Sequence, residues 1–480
     1  MKPLFIVIAT LCMLSFRPVA VAADDPAKKE HRTPSVRLDR ALAVHPSNPS
    51  YFADAKGRAI WLGGHQIFND IQDNAWVGQK DQPVALNWSE HLRFMQQRNL
   101  NYLRNWITFS TGGGPANIAT PMPYARTGPG LALDGQPKFD LERFDEAYFT
   151  RLHERIRMAQ QRGIVVSIML FEVYGFNANN HPHGWAGNMF NAKNNINGIE
   201  ADTNGDGIGL EFFYSPDPKL VRLQRGYVKK VIDTLNDLDK VFFEVANECG
   251  ATSWQHALID FIHEYESRHK PRRHLVLMSP GGNDVRGTWV SQPKIDITHS
   301  HADVIAVLNA WDDYRSNPPV NDEGGPAIMD MDHIAPKESD DPLLPWKAFT
   351  RGYHYSLYDH PFAAPRAAAA SWELARKNIG AVVTYSRKFS DLARAEPRPD
   401  LSSTRFCLAH PGHEYVILQP KSGEAFSVHL QAGTYRCEWF RLENVKTENA
   451  DNLQVESGPH PFVPLFEGPA VLHVSAVKRP

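Results

Sequence analysis

Two short acidic segments carry the side chains that are best suited to catalysis. The first is an apolar run, Val241–Ala246, which ends abruptly in the amide Asn247 and the carboxylate Glu248. A carboxyl group that closes a buried strand can act as a general acid or base, although the same glutamate could instead cap the next helix. Cleavage of a glycosidic bond needs two such groups, one on each side of the bond. We therefore predict that Glu248 is the acid/base and that its partner lies on another strand.

The second segment, Ala327–His333, reads AIMDMDH and offers two candidate partners. Asp330 and Asp332 are two residues apart, so they point to the same face of a strand, and Asp332 lies nearer to its end. We predict that Asp332 is the second catalytic carboxylate, with Asp330 and His333 beside it in the substrate site. Asp330 is the second choice for the catalytic role, and Glu323, in a Gly-containing loop, is the third. Any of these acids could instead be a solvated or supporting side chain.

Other polar and aromatic side chains follow the predicted strands and would suit a pocket for a polyhydroxylated ligand. Sugars need hydrogen-bond partners for their hydroxyls and aromatic rings for their C–H faces. A single histidine is more often structural, so the prediction depends on the recurrence of such residues at strand ends. Glu244, lower on its strand, is predicted to join an internal ion pair. The predicted substrate-binding residues are His65, Arg104, Trp106, Asn247, His301, Asp330 and His333, and further candidates are Glu172, Tyr174, His299 and Asp359.

Short apolar runs alternate with longer amphipathic runs from residue 59 onward, which is typical of repeated βα units around a parallel sheet. Eight runs are predicted to be strands, the number that closes a (β/α)8 TIM barrel. Active sites of such barrels are built at the carboxyl ends of the strands, where Glu248 and Asp332 would lie. Asp217 followed by Pro218 predicts the start of a helix. The predicted strands are Ala59–Gly63, Tyr102–Ile107, Ile164–Phe171, Val241–Ala246, His274–Ser279, Ile295–His299, Ala327–Asp332 and Tyr353–Asp359.

Four segments are predicted along the chain. Residues 1–23 combine a lysine, a short apolar run and small residues, as a cleavable secretory signal does, so we expect a secreted or periplasmic protein. That apolar run is shorter than the ~20 residues that span a bilayer, and no membrane association is expected after cleavage. Residues 24–40 are charged and predicted to be a disordered tether. The barrel is predicted over 41–388, and a small antiparallel β-sandwich over 389–480.

The Asn247–Glu248 pair resembles the acid/base motif of the large clan of retaining glycosidases with barrel folds. Residues 48–73, the DMDH sequence of the second acidic segment and residues 401–474 together resemble a glycosidase-like family related to bacterial apiosidases. The C-terminal module of that family carries the label of a collagen-binding domain. This resemblance implies a barrel glycosidase with an accessory β domain. The clan usually has a glutamate at the end of strand seven, whereas this chain has Asp-Met-Asp-His, so retaining and inverting outcomes both stay open.

The composition excludes some classes of partner. The chain has 51 Lys and Arg against 54 Asp and Glu, and a net charge of -3 creates no field that would attract nucleic acid. We expect a carbohydrate substrate, no nucleic-acid partner, no cofactor and a monomer. Three cysteines follow the predicted signal, and Cys407 with Cys437 is the plausible disulfide pair in an oxidising compartment.

The sequence Asp202–Gly207 (DTNGDG) is similar to the start of a calcium-binding loop, because oxygen-bearing side chains alternate before a glycine. The twelfth position of such a loop should be acidic, and here it is Phe213. The interpretation is therefore an Asx-rich turn, and no metal site is predicted.

Two other functions compete with a glycosidase. A barrel that binds carbohydrate without catalysing its cleavage stays open, because the predicted strand-seven acid is atypical. A collagen-directed protease is suggested only by the label of the C-terminal module. The sequences HEYES and HERIR, which begin at His263 and His153, lack the second histidine of a zinc-protease motif, and no G-x-S-x-G sequence occurs.

Overall fold

The computed structural model describes residues 42–74, 85–111, 119–177, 184–247, 249–279, 282–283, 289–290, 301–307, 325–330, 341–359 and 370–477. By their contacts, these residues belong to one compact unit. The predicted signal peptide and tether lie outside the described residues. So do five predicted site residues, namely Glu248, His299, Glu323, Asp332 and His333. For Asp330, the backbone alone is described.

The strands and helices of the described residues follow the chain in this order. The strands are β1 (Ala43–Val44), β2 (Phe52–Ala53), β3 (Ala59–Ile60), β4 (Gly63–Gln66), β5 (Tyr102–Asn105), β6 (Tyr124–Leu131), β7 (Pro137–Phe144), β8 (Val165–Glu172), β9 (Val241–Asn247), β10 (Val276–Met278), β11 (Gly282–Asn283), β12 (Trp289–Val290), β13 (Val304–Val307), β14 (Ala327–Asp330), β15 (His354–Tyr358), β16 (Glu396–Pro397), β17 (Cys407–His410), β18 (Glu414–Gln419), β19 (Phe426–Leu430), β20 (Gly433–Arg441), β21 (Lys446–Val455), β22 (Gly458–Phe462) and β23 (Ala470–Ala476). The α-helices are α1 (Trp88–Gln97), α2 (Glu146–Gln161), α3 (Glu211–Tyr214), α4 (Pro218–Leu235), α5 (Thr252–His269), α6 (Leu344–Thr350) and α7 (Ala370–Lys388).

Eight parallel strands close into a barrel in the order β4, β5, β8, β9, β10, β13, β14 and β15, and β15 pairs again with β4. Strands that are neighbours along the chain are therefore neighbours in space, as in a (β/α)8 barrel. After α7, a six-stranded antiparallel sheet and the two-stranded sheet β19–β22 enclose a second apolar core. The predicted fold class, a TIM barrel followed by a small antiparallel β-sandwich, is confirmed.

Two strand predictions need correction. The first barrel strand is Gly63–Gln66, because Ala59–Ile60 pairs instead with β2 in a small three-stranded sheet. The sixth is Val304–Val307, so the prediction for Ile295–His299, a segment outside the described residues, is wrong. Ile295–His299 alternates apolar with polar residues, whereas Val304–Val307 is apolar throughout, as a strand buried on both faces requires.

Aromatic rings fill the lower interior of the barrel. Phe242 of β9 lies between Phe52 of β2 and Tyr102 of β5, with ring centroids 5.8 and 6.0 Å apart. Close contact between β4 and β5 requires a glycine, since a Cβ added at Gly64 would lie 1.6 Å from the carbonyl oxygen of Tyr102. The packed lower interior leaves the carboxyl ends of the strands as the place where polar side chains gather.

The outer helices form where the apolar spacing predicts them. Asp217 caps α4 by accepting hydrogen bonds from the backbone N–H groups of Lys219 and Leu220, and Pro218 occupies the first turn. This cap confirms the predicted helix start. Within the described part of the chain, none of the helices combines the length and apolar character needed to cross a membrane.

The C-terminal sheets pack directly against the last barrel helices. Trp346 of α6 and Tyr385 of α7 contact Phe440 of β20, with ring centroids 5.2 and 5.5 Å apart. Tyr385 also donates a hydrogen bond to Glu438 on the same strand, and burial raises its pKa above the ordinary value. This aromatic cluster joins the antiparallel sheet to the barrel.

The predicted disulfide between Cys407 and Cys437 is wrong, because both cysteines are free and buried. Cys407 lies on β17 and Cys437 on β20, and strands β18 and β23 separate them in the sheet. Three strand spacings of about 4.8 Å place the two Cα atoms roughly 14 Å apart, twice the reach of a disulfide.

We predict that a reductant leaves the thermal stability of the protein unchanged. A disulfide of ordinary strength stabilises by about 2 to 4 kcal/mol, so its reduction would lower Tm by several degrees. Thermal unfolding followed by circular dichroism, with and without dithiothreitol, should give midpoints within about 1 °C. A clear drop in Tm on reduction would show that a bridge forms after all.

Candidate active site

A buried ion pair crosses the barrel interior near the carboxyl ends of the strands. Arg104 of β5 reaches Glu244 of β9, with Nε donating to Oε2 at 2.8 Å, and both side chains are almost fully buried. The same guanidinium donates to Gln66 Oε1 of β4 and, at 2.7 Å, to Asn247 Oδ1 of β9. The predicted internal ion pair of Glu244 is confirmed. Arg104 therefore links three strands at the level just below the barrel mouth.

Asn247, the last residue of β9, is buried, and the oxygen of its side-chain amide is hydrogen-bonded within the protein. Its Oδ1 accepts from Arg104, which fixes the orientation of the side chain. Its Nδ2 has no hydrogen-bond partner among the described residues. A buried N–H group without a partner is costly, and a ligand hydroxyl or water can satisfy it. Glu248, the next residue in the chain, lies outside the described residues.

Three further buried polar atoms near the strand ends have no hydrogen-bond partner within the described parts of the chain. They are Gln66 Nε2 of β4, Ser279 Oγ just after β10, and Ser356 Oγ of β15. Ser356 pairs in register with Asp330, whose backbone closes β14. The sequence pattern did not single out Gln66, Ser279 or Ser356. Gln66 could have been found from its register with Arg104, had the first strand been placed correctly.

Glu172 closes β8 and pairs in register with Asn247. Its carboxylate accepts hydrogen bonds from the backbone N–H of Gly175 at 2.6 Å and from the hydroxyl of Thr108 at 3.4 Å. Burial raises the pKa of Glu172 to about 7, although these hydrogen bonds act in the opposite direction. Glu172 thus braces the loops that follow β5 and β8, and its carboxyl is poised to change charge near neutral pH.

Trp106 lies just after β5 within an aromatic cluster. Its ring meets Phe68 edge-on at 4.7 Å, and Phe68 in turn meets Tyr358, the last residue of β15, at 5.5 Å. Trp106 is almost fully buried and Tyr358 is half-buried. The cluster therefore supplies apolar faces beside the polar ends of β4, β5 and β15.

The structure does not place His65 in the barrel interior. Its Nδ1 lies 2.8 Å from Asp359, and its ring stacks on His91 of α1 with centroids 5.0 Å apart. Asp359 also accepts from Arg376 of α7. Alternate strand residues point to opposite faces, so Gln66 faces inward and His65 faces the helices. The prediction that His65 binds substrate is therefore corrected to a structural role, as is the candidate Asp359.

Asp359 remains charged in this buried layer. Burial alone would raise its pKa, but hydrogen bonds from Arg376 and His65 hold that pKa below the ordinary value. Since Arg376 and Asp359 are both almost fully buried, this ion pair ties α7 to the end of β15.

His301 also lies elsewhere than predicted, since it precedes the sixth strand instead of following it. Its Nδ1 is 2.7 Å from Asp260 of α5, and its ring stacks on His256 of the same helix at 4.5 Å. The side chain is partly exposed on the outside of α5. The prediction of a mouth position for His301 rested on the misplaced strand and is wrong.

Within the described segments, no group of three or more His, Cys, Asp and Glu side chains is arranged to hold a metal ion.

Comparisons with known proteins agree with this fold. The model of a family described as a domain of unknown function (DUF6298) matches residues 119–334. No curated protein matches the chain. The chain is similar to a solved structure named as a glycoside hydrolase, with 12% identity, a TM-score of 0.58, and coverage of 92% of this chain and 98% of that chain.

Two structures from Bacteroides vulgatus ATCC 8482 are similar as well. A glycoside hydrolase of family 5 gives 12% identity and a TM-score of 0.57, with 91% of this chain and 93% of that chain covered. A structure described as a candidate glycoside hydrolase gives 13% identity and a TM-score of 0.62, with coverage of 92% and 83%. At these identities the similarity establishes the shared fold.

We predict that Arg104→Met lowers the free energy of unfolding by about 3 to 5 kcal/mol, because it leaves the buried Glu244 carboxylate without a counter-ion. Urea unfolding measures the change. The control, Arg58→Met, removes an exposed ion pair with Asp54 and should cost less than about 1 kcal/mol. The double variant Arg104→Met/Glu244→Leu should recover much of the loss, and equal losses for Arg104→Met and Arg58→Met would contradict the role of this pair.

We also predict that Glu172 contributes a pH dependence of stability. Its pKa is raised from 4.5 to about 7 in the folded protein, so the stability it contributes is complete below pH 4.5 and is lost as the pH rises to 7. Between pH 5 and pH 8, the Tm of Glu172→Gln should therefore fall by about 2 to 4 °C less than the Tm of the wild type does. The exposed control Glu142→Gln should follow the wild type, and parallel curves for all three proteins would refute the prediction.

Proposed function

We propose that the protein is a glycoside hydrolase that cleaves O-glycosidic bonds in an oligo- or polysaccharide with two carboxyl groups at the barrel mouth. The observation that carries the proposal is the buried amide of Asn247. Arg104 holds its Oδ1, and its Nδ2 is left without a partner among the described residues, directly before Glu248 in the chain. Such an N–H group suits a sugar hydroxyl beside the bond that is cleaved.

Glu248 is proposed as the acid that protonates the leaving oxygen. A carboxyl group needs a pKa near the working pH for this role. Asp332 is proposed as the second carboxylate, which attacks the sugar in a retaining mechanism or activates water in an inverting one. Asp330 and His333 would support it, and Trp106 would contribute an aromatic face.

The three similar structures support this proposal by their names, since each is described as a glycoside hydrolase or as a candidate for that class. The sequence resemblance to the family related to bacterial apiosidases points in the same direction. It also leads us to propose that the C-terminal sheets correspond to that family's accessory module. The predicted signal peptide adds the proposal that the enzyme acts outside the cytoplasm, where polymeric glycans are met.

The alternative is a barrel that binds carbohydrate without cleaving it. Both functions would use the polar atoms of Gln66, Asn247, Ser279 and Ser356, so these atoms do not discriminate between them. The catalytic function alone requires the carboxyl group of Glu248, which gives a direct test.

We predict that Glu248→Gln lowers turnover by at least about 100-fold while the protein remains folded, because general acid catalysis typically contributes that much. The assay is release of reducing ends from a panel of plant and microbial glycans. The control is Glu154→Gln on the exposed face of α2, which should keep wild-type activity. Retention of more than a tenth of the activity by Glu248→Gln would reject the assignment, whereas glycan binding without any turnover by the wild type would favour the alternative.

A further inference from the structure

A cavity of about 550 Å³ lies between the short helix α3 and the first two turns of α4 and α5. Small-molecule sites in proteins usually measure ~300 to 1,000 Å³, so the cavity is large enough to hold a ligand. Tyr214 of α3, Arg225 of α4, and Thr252, Ser253 and Trp254 of α5 supply much of its lining. None of these residues belongs to the candidate active site described above.

The path of the chain places this cavity on the mouth side of the barrel. The loops that lead from each strand to the following helix gather at the mouth of a (β/α)8 barrel. Gly250 and Ala251, which also line the cavity, belong to the loop between β9 and α5. Gly250 is three residues after Asn247, and three Cα–Cα steps of ~3.8 Å keep their Cα atoms within about 11 Å of each other. The cavity therefore adjoins the proposed catalytic site.

Trp254 forms a wall of the cavity whose orientation is fixed without a ligand. Its Nε1 donates to Gln224 Oε1 at 3.1 Å, and the buried Gln224 donates from Nε2 to the backbone oxygen of Phe212 at 2.6 Å. The indole also makes T-shaped contacts with Phe213 and Phe171, with ring centroids 5.0 and 5.5 Å apart. The side chain is only half-buried, so part of it stays accessible. A ring that is already held in place loses little conformational entropy when a ligand binds.

Polar groups accompany this ring in the lining. Thr252 and Ser253, the first residues of α5, carry hydroxyls, and Arg225 of α4 carries a guanidinium; all three residues are exposed. Sugars pack their C–H faces on aromatic rings and need hydrogen-bond partners for their hydroxyls. The combination of a fixed indole with hydroxyl and guanidinium groups therefore fits a sugar ring.

We propose that this cavity binds a sugar unit on the leaving-group side of the cleaved bond. The inference rests on the proposed function, in which Glu248 is the acid that protonates the leaving oxygen. Because Gly250 and Ala251 follow that residue in the chain, the part of the substrate that departs lies nearest to the cavity. The cavity then adds binding energy for a substrate whose leaving group is itself a sugar.

The test compares two substrates that share the same glycone. One is the shortest oligosaccharide of the glycan panel that the wild type cleaves, and the other is the corresponding glycosyl fluoride, whose leaving group is a single atom that cannot reach the cavity. The ratio of their kcat/KM values measures what a sugar leaving group contributes. Trp254→Ala removes the aromatic wall, and Ala257→Phe fills the cavity from an exposed position in its lining on α5. Each variant should lower the ratio by at least about tenfold.

The matched control is Ser267→Phe, an exposed position on the same helix that does not line the cavity, and it should keep the wild-type ratio. Ala257→Phe removes no buried contact, so the test stands if Trp254→Ala does not fold. A wild-type ratio in Ala257→Phe would overturn the inference.

A wild type that cleaves no glycan of the panel would refute the proposed function, and the cavity is then tested as a sugar site by affinity. Isothermal titration of the wild type with the panel oligosaccharides replaces the kinetic assay. Ala257→Phe should weaken the binding by at least about tenfold, whereas Ser267→Phe should not change it. The cavity is rejected as a sugar site if Ala257→Phe keeps the wild-type affinity or if none of the oligosaccharides binds.

Discussion

The buried charge of Arg104 constrains the upper half of the barrel. A guanidinium taken out of water is tolerated only when its N–H groups are used and its charge is balanced. Glu244 balances the charge, and Gln66 and Asn247 each accept a hydrogen bond from a further N–H group of the guanidinium. Because these four residues lie on β4, β5 and β9, their hydrogen bonds fix how the three strands are positioned along one another. They also set the orientation of Asn247 beside the proposed acid.

Successive side chains of a strand point to opposite faces, and this alternation determines which residues near Arg104 face the barrel mouth. Gln66 turns inward to Arg104, whereas His65 turns outward to Asp359 and the helices. Each face of β4 therefore lies beside its own buried ion pair. The Arg104–Glu244 pair is in the barrel interior, and the Arg376–Asp359 pair is between the barrel and its helices. The inner pair leaves amide and hydroxyl atoms available near the strand ends, which is what a site for a polyhydroxylated ligand needs. The outer pair holds the last helix against the barrel.

Features that depend on local sequence could be predicted. The apolar runs of β5, β8 and β9, the Asp217 cap and the ion pair of Glu244 all follow from residue type and spacing. The start of β4 could not be predicted as reliably, because Ala59–Ile60 is as apolar as a barrel strand and only its pairing with β2 separates the two. Because the first strand was predicted a few residues too early, His65 was chosen as a site residue in place of Gln66. The sixth strand was misplaced although Val304–Val307, which is apolar throughout, suits a strand buried on both faces better than the alternating Ile295–His299 does. His301 was misplaced with it.

Features that depend on pairing between distant segments of the chain could not be predicted from the sequence. Cys407 and Cys437 are close enough along the chain to suggest a bridge, but the sheet order inserts two strands between them. Ser279 and Ser356 became candidates only when their hydroxyls proved to be buried and without partners in the described chain.

The proposed mechanism requires the carboxyl groups of Glu248 and Asp332 to face each other at the mouth that Arg104 and Asn247 organise. A crystal structure with a bound sugar or sugar-like inhibitor tests it most directly, through the distance between the carboxyl groups of Glu248 and Asp332. We expect the ligand at the mouth, with a hydroxyl within hydrogen-bond distance of Asn247 Nδ2. The two carboxyls should be about 5 to 5.5 Å apart for a retaining enzyme or about 6.5 to 9.5 Å apart for an inverting one. A separation well above about 10 Å, or a ligand bound away from the mouth, would contradict catalysis by these two carboxyl groups.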